Sequence, residues 1–241
     1  MSTVQYISTS HLQQANWFLY KLNPTGLSEK ISASIRIKSA VDIQTVKKTL
    51  QALTKRHSIL CSIYYEQDEK IIQEVRETAK IDFENIDASR ANDEELNRQI
   101  LQKAKQTFNL ESAGAFRACL FSRSVTEHIL LFAAHQIAAD SESLLILLKD
   151  FVAIYDSILN GNSPNLPLTN TSNYTDYIQK ELNFINSESG KQALNYWQQK
   201  LSDRLPVLEL PTNSARATIR TYNDASIECS IKPQLSQQIK Q

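Results

Sequence analysis

The stretch TEHILLFAAHQIAADSESLLILLKDFVAIYDSIL, Thr126–Leu159, decides the fold. From Ile129 to Ala134 every residue is apolar. A short unbroken run of this kind predicts a central strand buried on both faces. Further on, Leu144, Leu147, Leu148, Phe151, Tyr155 and Ile158 recur at helical spacing and predict a long helix. Between the two elements lie His135 and Asp140. Loops at such junctions often carry chemistry, because rigid elements hold their residues in place. The competing reading is structural: His135 ends the strand, and Asp140 or Ser141 caps the helix.

Working outward, AFRACLFSR (115–123) pairs antiparallel with this strand around Arg123–Val125. KISASIRIKS (30–39) alternates Ile31, Ala33, Ile35 and Ile37 on one face, the pattern of a half-buried strand. Asp42 is placed to cap the helix that follows, whose Ile43, Val46, Leu50 and Leu53 share a face. SILCSIYY and KIIQEV read as a hairpin about the polar turn Gln67–Glu69. Asn92 and Glu95 open another helix in capping-box fashion, with Leu96, Ile100, Ala104 and Phe108 as its stripe. A first helix is expected from His11 to Leu22, and two more over 173–185 and 189–201. The composition of 160–173 predicts a loop, and 204–224 reads as an extended connector. ASIECSI predicts a last strand, followed by a short helical end. The order of elements predicts an α/β sandwich rather than a repeat protein.

Composition narrows the function. The chain has 241 residues, with 26 basic against 26 acidic, so no basic excess argues for nucleic acid or an anionic membrane surface. No apolar stretch is long enough to span a bilayer, and the N-terminus lacks the pattern of a secretory signal. Three widely spaced cysteines fit a reduced, cytoplasmic setting and have no metal-ligand spacing. Four glycines and the lack of GxGxxG or GxxxxGK argue against a glycine-rich phosphate loop. No Gly-x-Ser-x-Gly elbow accompanies the histidines. His57, beside Arg56 at a helix end, reads as a charge suited to a helix C-terminus. His128 reads as mid-strand packing, Cys61 and Cys119 as core cysteines, and Trp17 and Trp197 as packing anchors.

Five separated segments, in order, resemble the N-terminal half of a condensation domain of nonribosomal peptide synthetases, in the chloramphenicol-acetyltransferase-like superfamily. STSHLQQANWFLYKLNP resembles that family's opening Ser-x-x-Gln-x-x-x-Trp helix, with Gln14 and Trp17 near the expected places. LQALTKRHSILCSIY resembles its Arg-His-Glu-x-Leu-Arg-Thr-x-Phe segment, and HQIAADS its His-His-x-x-x-Asp-Gly core. NYTDYIQ resembles its Tyr-x-Asp-Phe segment, and ALNYWQQKLSDRLPVLELPTNSAR its exit from the first lobe.

The resemblance implies a chloramphenicol-acetyltransferase-like α/β sandwich with a mixed sheet, one lobe plus the start of a second. The expected division is a lobe over 1–165, a helical and extended connector over 166–220, and the start of a C-terminal lobe over 221–241. It implies amide formation between an amine and an acyl or peptidyl thioester, both on carrier protein domains. The substrates ride on phosphopantetheine arms, with no cofactor bound directly. The implied partners are carrier domains, neighbouring synthetase domains and a C-terminal lobe. Self-association is expected if an isolated lobe exposes its apolar face.

Three positions depart from the family. Gln136 stands where the working histidine lies, four residues before Asp140, and His135 matches the first histidine. Ser141 takes the glycine position, and Cys61 that of the arginine that pairs with the aspartate. A glutamine cannot titrate, so impaired catalysis is expected. Two other readings stand beside that one: a non-catalytic carrier- or partner-binding module, and an acyltransferase that needs a second lobe. Adjacent strand residues point to opposite faces, so His135 points away from the face of residue 136 unless a bulge intervenes. Asp140 is expected to be buried and to need a partner. Without an arginine at 61, it is left to the N–H groups of 141–143 or to Arg117. In either case its role is structural.

Overall fold

A computed structural model describes residues 4–23, 30–76, 81–163, 174–206, 208, 211, 227 and 229–240. Within them, α1 (His11–Leu22) follows β1 (Val4–Ser8), and α2 (Ile43–Arg56) follows β2 (Lys30–Ile37). The hairpin β3 (Ser62–Gln67) and β4 (Lys70–Arg76) and the strand β5 (Asp82–Asp87) come next, then α3 (Asp93–Lys105). The strands β6 (Phe116–Ser124) and β7 (Glu127–His135) lead into α4 (Ser141–Leu159). Helices α5 (Tyr174–Asn186) and α6 (Glu188–Lys200) follow, and α7 (Pro233–Ile239) lies near the end. Two compact units divide the chain, Met1–Leu205 and Pro206–Gln241. The second contains α7, and its described residues Ile227, Cys229, Ser230 and Ile231 form no strand, contrary to the expectation for ASIECSI. Most of the expected connector 204–224, and residues 164–173 of the expected loop, lie outside the described residues.

In the first unit the strands form a three-stranded sheet, β1-β4-β3, and a four-stranded sheet, β2-β7-β6-β5. The second sheet is mixed: β7 pairs antiparallel with β2 and β6, whereas β5 runs parallel to β6. The expected α/β architecture with a mixed sheet is therefore present. β7 is interior to its sheet, and its residues from His128 to His135 are all buried. Its side chains divide by parity. Leu130, Phe132 and Ala134 enter the core built by Val46, Leu50 and Leu53 of α2 and Leu144, Leu147 and Phe151 of α4. Ile129 and Leu131 face the other way, onto Leu96 of α3. Ala133 joins a third cluster with Trp17 and Tyr20 of α1 and Phe108.

Caps explain where the helices begin. Asp42 accepts the Thr45 N–H (2.6 Å) and Asn92 the Glu95 N–H (2.8 Å). The hairpin turn places Asp68 (φ 50°) and Glu69 (φ 60°) in the left-handed region, as a two-residue turn of matching twist requires.

The structure corrects several local expectations. Ser58–Cys61, expected to begin a strand, is a 3-10 turn, and β3 begins only at Ser62. α3 ends at Lys105, so Phe108 is not on its stripe but packs in the α1 cluster. β1 and β5 carry no alternating pattern strong enough to predict them and appear only in the structure.

Phe132 is fully buried and packs edge-on against Phe116 (5.2 Å between centroids) and Phe151 (5.6 Å). Phe132→Ala is expected to lower stability by about 3–5 kcal/mol, the usual result of emptying an aromatic core site. Urea unfolding followed by circular dichroism measures it.

Candidate active site

The candidate site is built on the turn from His135 to Asp140. β7 ends at His135, whose N–H donates to the Ala115 carbonyl (2.9 Å). The imidazole is 3 % exposed and lies edge-on to Tyr20 (5.9 Å) and Phe108 (6.4 Å). It follows Ala133 toward α1. The Ile137 N–H donates to His135 Nδ1 (3.2 Å), and the Ala138 N–H to the His135 carbonyl (3.0 Å). A backbone N–H can only donate, so Nδ1 is an acceptor here, and a neutral ring carries its proton on Nε2.

α1 holds the other side of this turn. Ser10 caps α1 in a capping box with Gln13. The buried Gln13 amide nitrogen lies within hydrogen-bond reach of the Ile137 carbonyl (3.2 Å), Gln73 Oε1 (3.1 Å) and the Tyr64 hydroxyl (3.2 Å). Gln73 in turn donates to the Ser62 hydroxyl (2.8 Å). The opening helix therefore bonds to the motif turn through Gln13. The spacing Ser10-x-x-Gln13-x-x-x-Trp17 fits the family pattern, so Gln13 and not the expected Gln14 holds that position; Gln14 is exposed and donates to the Thr9 carbonyl (3.4 Å).

Gln136 sits between these anchors and is exposed. It lines a cleft of about 460 Å³ shared by the motif turn, the end of α2, α4 and the start of α5. The turn therefore separates its two neighbouring residues: His135 packs in the interior and Gln136 borders the cleft. The register irregularity between β6 and β7 lies at Ser122–Ser124, at the far end of the strand from His135.

Asp140 is exposed, not buried as expected, and it needs no cation. Its Oδ1 accepts the Ser143 hydroxyl (2.6 Å) and the Ser143 N–H (2.8 Å), while its own N–H donates to Ser143 Oγ (3.2 Å). The Ser143 hydroxyl, then the Ser143 N–H, hold its carboxyl below the usual carboxylate range. Arg117, the other candidate partner, bonds Asp82 (2.6 Å) and the Gln106 and Thr107 carbonyls (3.4 Å each). Ser141 is the exposed first residue of α4. Cys61 is buried beside a second cavity that also takes in Thr54 and Gly114, and burial pushes its thiol up. Cys119 is a core cysteine, its thiol pushed up to about 11 by burial.

Two features of the cleft lie beyond what the sequence announces. Arg56 and His57, at the end of α2, both bond Asp150 Oδ2 of α4, at 2.9 Å and 2.7 Å. They join the two helices at the cleft's rim, and the only sequence hint is charge at a helix end. Tyr174 and Tyr177 line the cleft from α5, and the Tyr174 hydroxyl shares a hydrogen bond with Ser10 (3.0 Å). Their signal is the NYTDYIQ segment. Away from the cleft, His128 is buried in the β6–β7 hairpin, within hydrogen-bond distance of Ser122 Oγ (3.0 Å) and the Val125 carbonyl (3.2 Å). Trp17 is a buried anchor as expected, but Trp197 is exposed. Among the described residues, no cluster of acidic, histidine or cysteine side chains could hold a metal ion, and no helix is long and apolar enough to cross a membrane.

The chain thus has a mixed-sheet α/β lobe with its motif turn at the end of an interior strand. A family model for the condensation domain matches residues 4–241, and the chain belongs to that family. It is 29 % identical over 228 residues to the polyketide synthase PksN of Bacillus subtilis (strain 168), covering 95 % of this chain and 4 % of that one. It is 25 % identical over 236 residues to bacitracin synthase 3 of Bacillus licheniformis, covering 98 % of this chain and 4 % of that one. Among solved structures, the X-domain in complex with OxyB from teicoplanin biosynthesis superposes with a TM-score of 0.77 at 23 % identity, over 89 % of this chain and 47 % of that one. The starter condensation domain of rhizomide synthetase RzmA gives 0.73 at 15 % identity, over 86 % of this chain and 51 % of that one. The chain thus spans about half the length of these solved structures and a few per cent of the curated relatives.

Asp140→Ala is expected to cost about 1 kcal/mol at neutral pH through loss of the helix cap. Because the folded carboxyl titrates below its unfolded value, the contribution is complete above about pH 4 and fades as pH falls through the folded pKa. Thermal melts of both proteins from pH 7 to pH 2 should converge at the acid end.

Proposed function

We propose that the chain is the N-terminal lobe of a condensation-type domain whose amide-forming step is impaired, because the group presented to the cleft is Gln136. On this reading an amine attacks a carrier-bound thioester. The C–N bond forms, the C–S bond breaks, and the proton leaving nitrogen passes to the departing thiolate. A neutral imidazole would relay that proton near pH 7. The Gln136 amide only donates and accepts hydrogen bonds, so it orients an amine or steadies an oxyanion without taking a proton. Loss of acid–base help costs on the order of 10²–10⁴ in rate. Asp140 bonded to Ser143, and Cys61 at a separate cavity, support a motif whose remaining members hold the turn. The acyl groups would arrive on phosphopantetheine arms of carrier proteins, in the reducing setting of the cytoplasm. The domain would divide as read from sequence, into a lobe, a connector and the start of a second lobe. α5 would then lie in the connector, which reaches α1 of the lobe through the His11 N–H and the Glu181 carboxylate (3.0 Å).

A second reading, a partner-binding module without turnover, draws support from the exposed apolar side chains Phe184, Ile185, Leu194, Tyr196 and Trp197 of α5 and α6. Such a surface serves a neighbouring domain or self-association.

The test is amide formation between two carrier-bound substrates in the domain completed by its second lobe. Gln136→His is expected to raise the rate by about tenfold or more, and Gln136→His with Cys61→Arg further. His135→Ala should lower the melting temperature. If His135→Ala abolishes a measurable rate while the protein stays folded, the assignment is wrong and His135 is the reacting group. A rate of zero in every variant favours the binding module.

A further inference from the structure

The cleft beside Gln136 has a wall chemistry of its own. Leu12 of α1, Ile59 and Leu60 of the 3-10 turn, and Ile146 and Leu147 of α4 give it apolar sides, and Tyr177 of α5 adds an aromatic one. At about 460 Å³ it falls in the size range of small-molecule sites.

The charged and titratable side chains bordering it already have partners. Arg56 Nε (2.9 Å) and His57 Nε2 (2.7 Å) share Asp150 Oδ2. Asp140 faces the same space with its carboxyl bonded to Ser143. The other described residues lining the cleft carry no formal charge. An entering carboxylate would therefore lose water against leucine and isoleucine beside the Asp140 carboxyl, with the Arg56 charge opposed by Asp150. The cation nearest to hand, Arg56, is already engaged by Asp150, so an entering carboxylate would have to share it. An uncharged chain meets no such cost and buries apolar surface.

We propose that this cleft recognises a neutral, apolar acyl group and discriminates against an acyl chain ending in a carboxylate. The proposal rests on the reading that a thioester enters here, and it adds the class of acyl group.

The test uses the full chain and two thioester probes of equal length, S-hexanoyl- and S-adipoyl-N-acetylcysteamine. Binding is measured by calorimetry, with amide NMR signals of residues 136–139 as the position marker. Saturable hexanoyl binding that shifts those signals is expected, with adipoyl weaker by about tenfold or more, since like charges brought together across a contact are strongly disfavoured. Ile146 is 52 % exposed, so Ile146→Lys should leave the fold intact, as a thermal melt checks. Placing an ammonium in the wall should narrow or reverse the preference, and Ile146→Asp, which puts a carboxylate to be desolvated where apolar wall stood, should weaken hexanoyl by about tenfold. Equal affinity for the two probes, tighter adipoyl binding, no saturable binding, or indifference to both Ile146 changes would each overturn the proposal. These readouts need no turnover. A domain that forms amides but shows no preference refutes only this selectivity; one that prefers hexanoyl but forms no amide refutes only the catalytic reading.

Discussion

The burial of β7 on both faces is the constraint on which the rest of the structure depends. A strand between two neighbours, covered by α2 and α4 on one side and by α1 and α3 on the other, has no freedom to slip. A one-residue shift would exchange Leu130, Phe132 and Ala134 with Ile129, Leu131 and Ala133 and disrupt all three clusters at once. That parity runs to the strand's end. It sends His135 in among Tyr20 and Phe108, and the turn that follows leaves Gln136 at the cleft.

The turn itself is held by polar groups that the core cannot leave unpaired. Ile137 offers an N–H and a carbonyl in a buried setting; His135 Nδ1 takes the first and the Gln13 amide the second. Unmade, each would carry a penalty of about 1–3 kcal/mol. The imidazole at 135 therefore satisfies a buried donor that an apolar residue could not. Further along, the capping box between Asp140 and Ser143 fixes where α4 begins, and with it where Ile146 and Leu147 stand in the cleft wall. α2 supplies the opposite wall and is tied to α4 through Asp150.

Much of this is legible in the sequence. The unbroken apolar run marks β7, and helical spacing marks α2 and α4. Asp42 and Asn92 mark helix starts, because a short side-chain acceptor before an apolar stripe has few other uses. The features that stay hidden have weaker local signals. DFENID has three acidic residues in six and lies at the sheet edge, where little burial is needed to hold a strand, so composition does not announce β5. SILC is β-favouring by composition, yet it forms a 3-10 turn below α2, with the Leu60 N–H donating to the His57 carbonyl (3.0 Å). Gln13 and Gln14 are neighbours of one residue type and easily exchanged; the spacing from Ser10 and to Trp17 selects Gln13, and the capping box at Ser10 shows it turned inward. The Asp150 cluster joins residues more than ninety positions apart, a distance over which periodicity carries no information.

The central claim is that His135 holds the turn while Gln136 faces the cleft. Nitrogen NMR of the histidine side chains at neutral pH tests it most directly. The account predicts a neutral His135 ring with its proton on Nε2 and an unprotonated Nδ1 that accepts from the Ile137 N–H, unchanged when a thioester probe is added. A His135 ring protonated at Nδ1, or one whose signals move with the probe while those of Gln136 stay fixed, would contradict it.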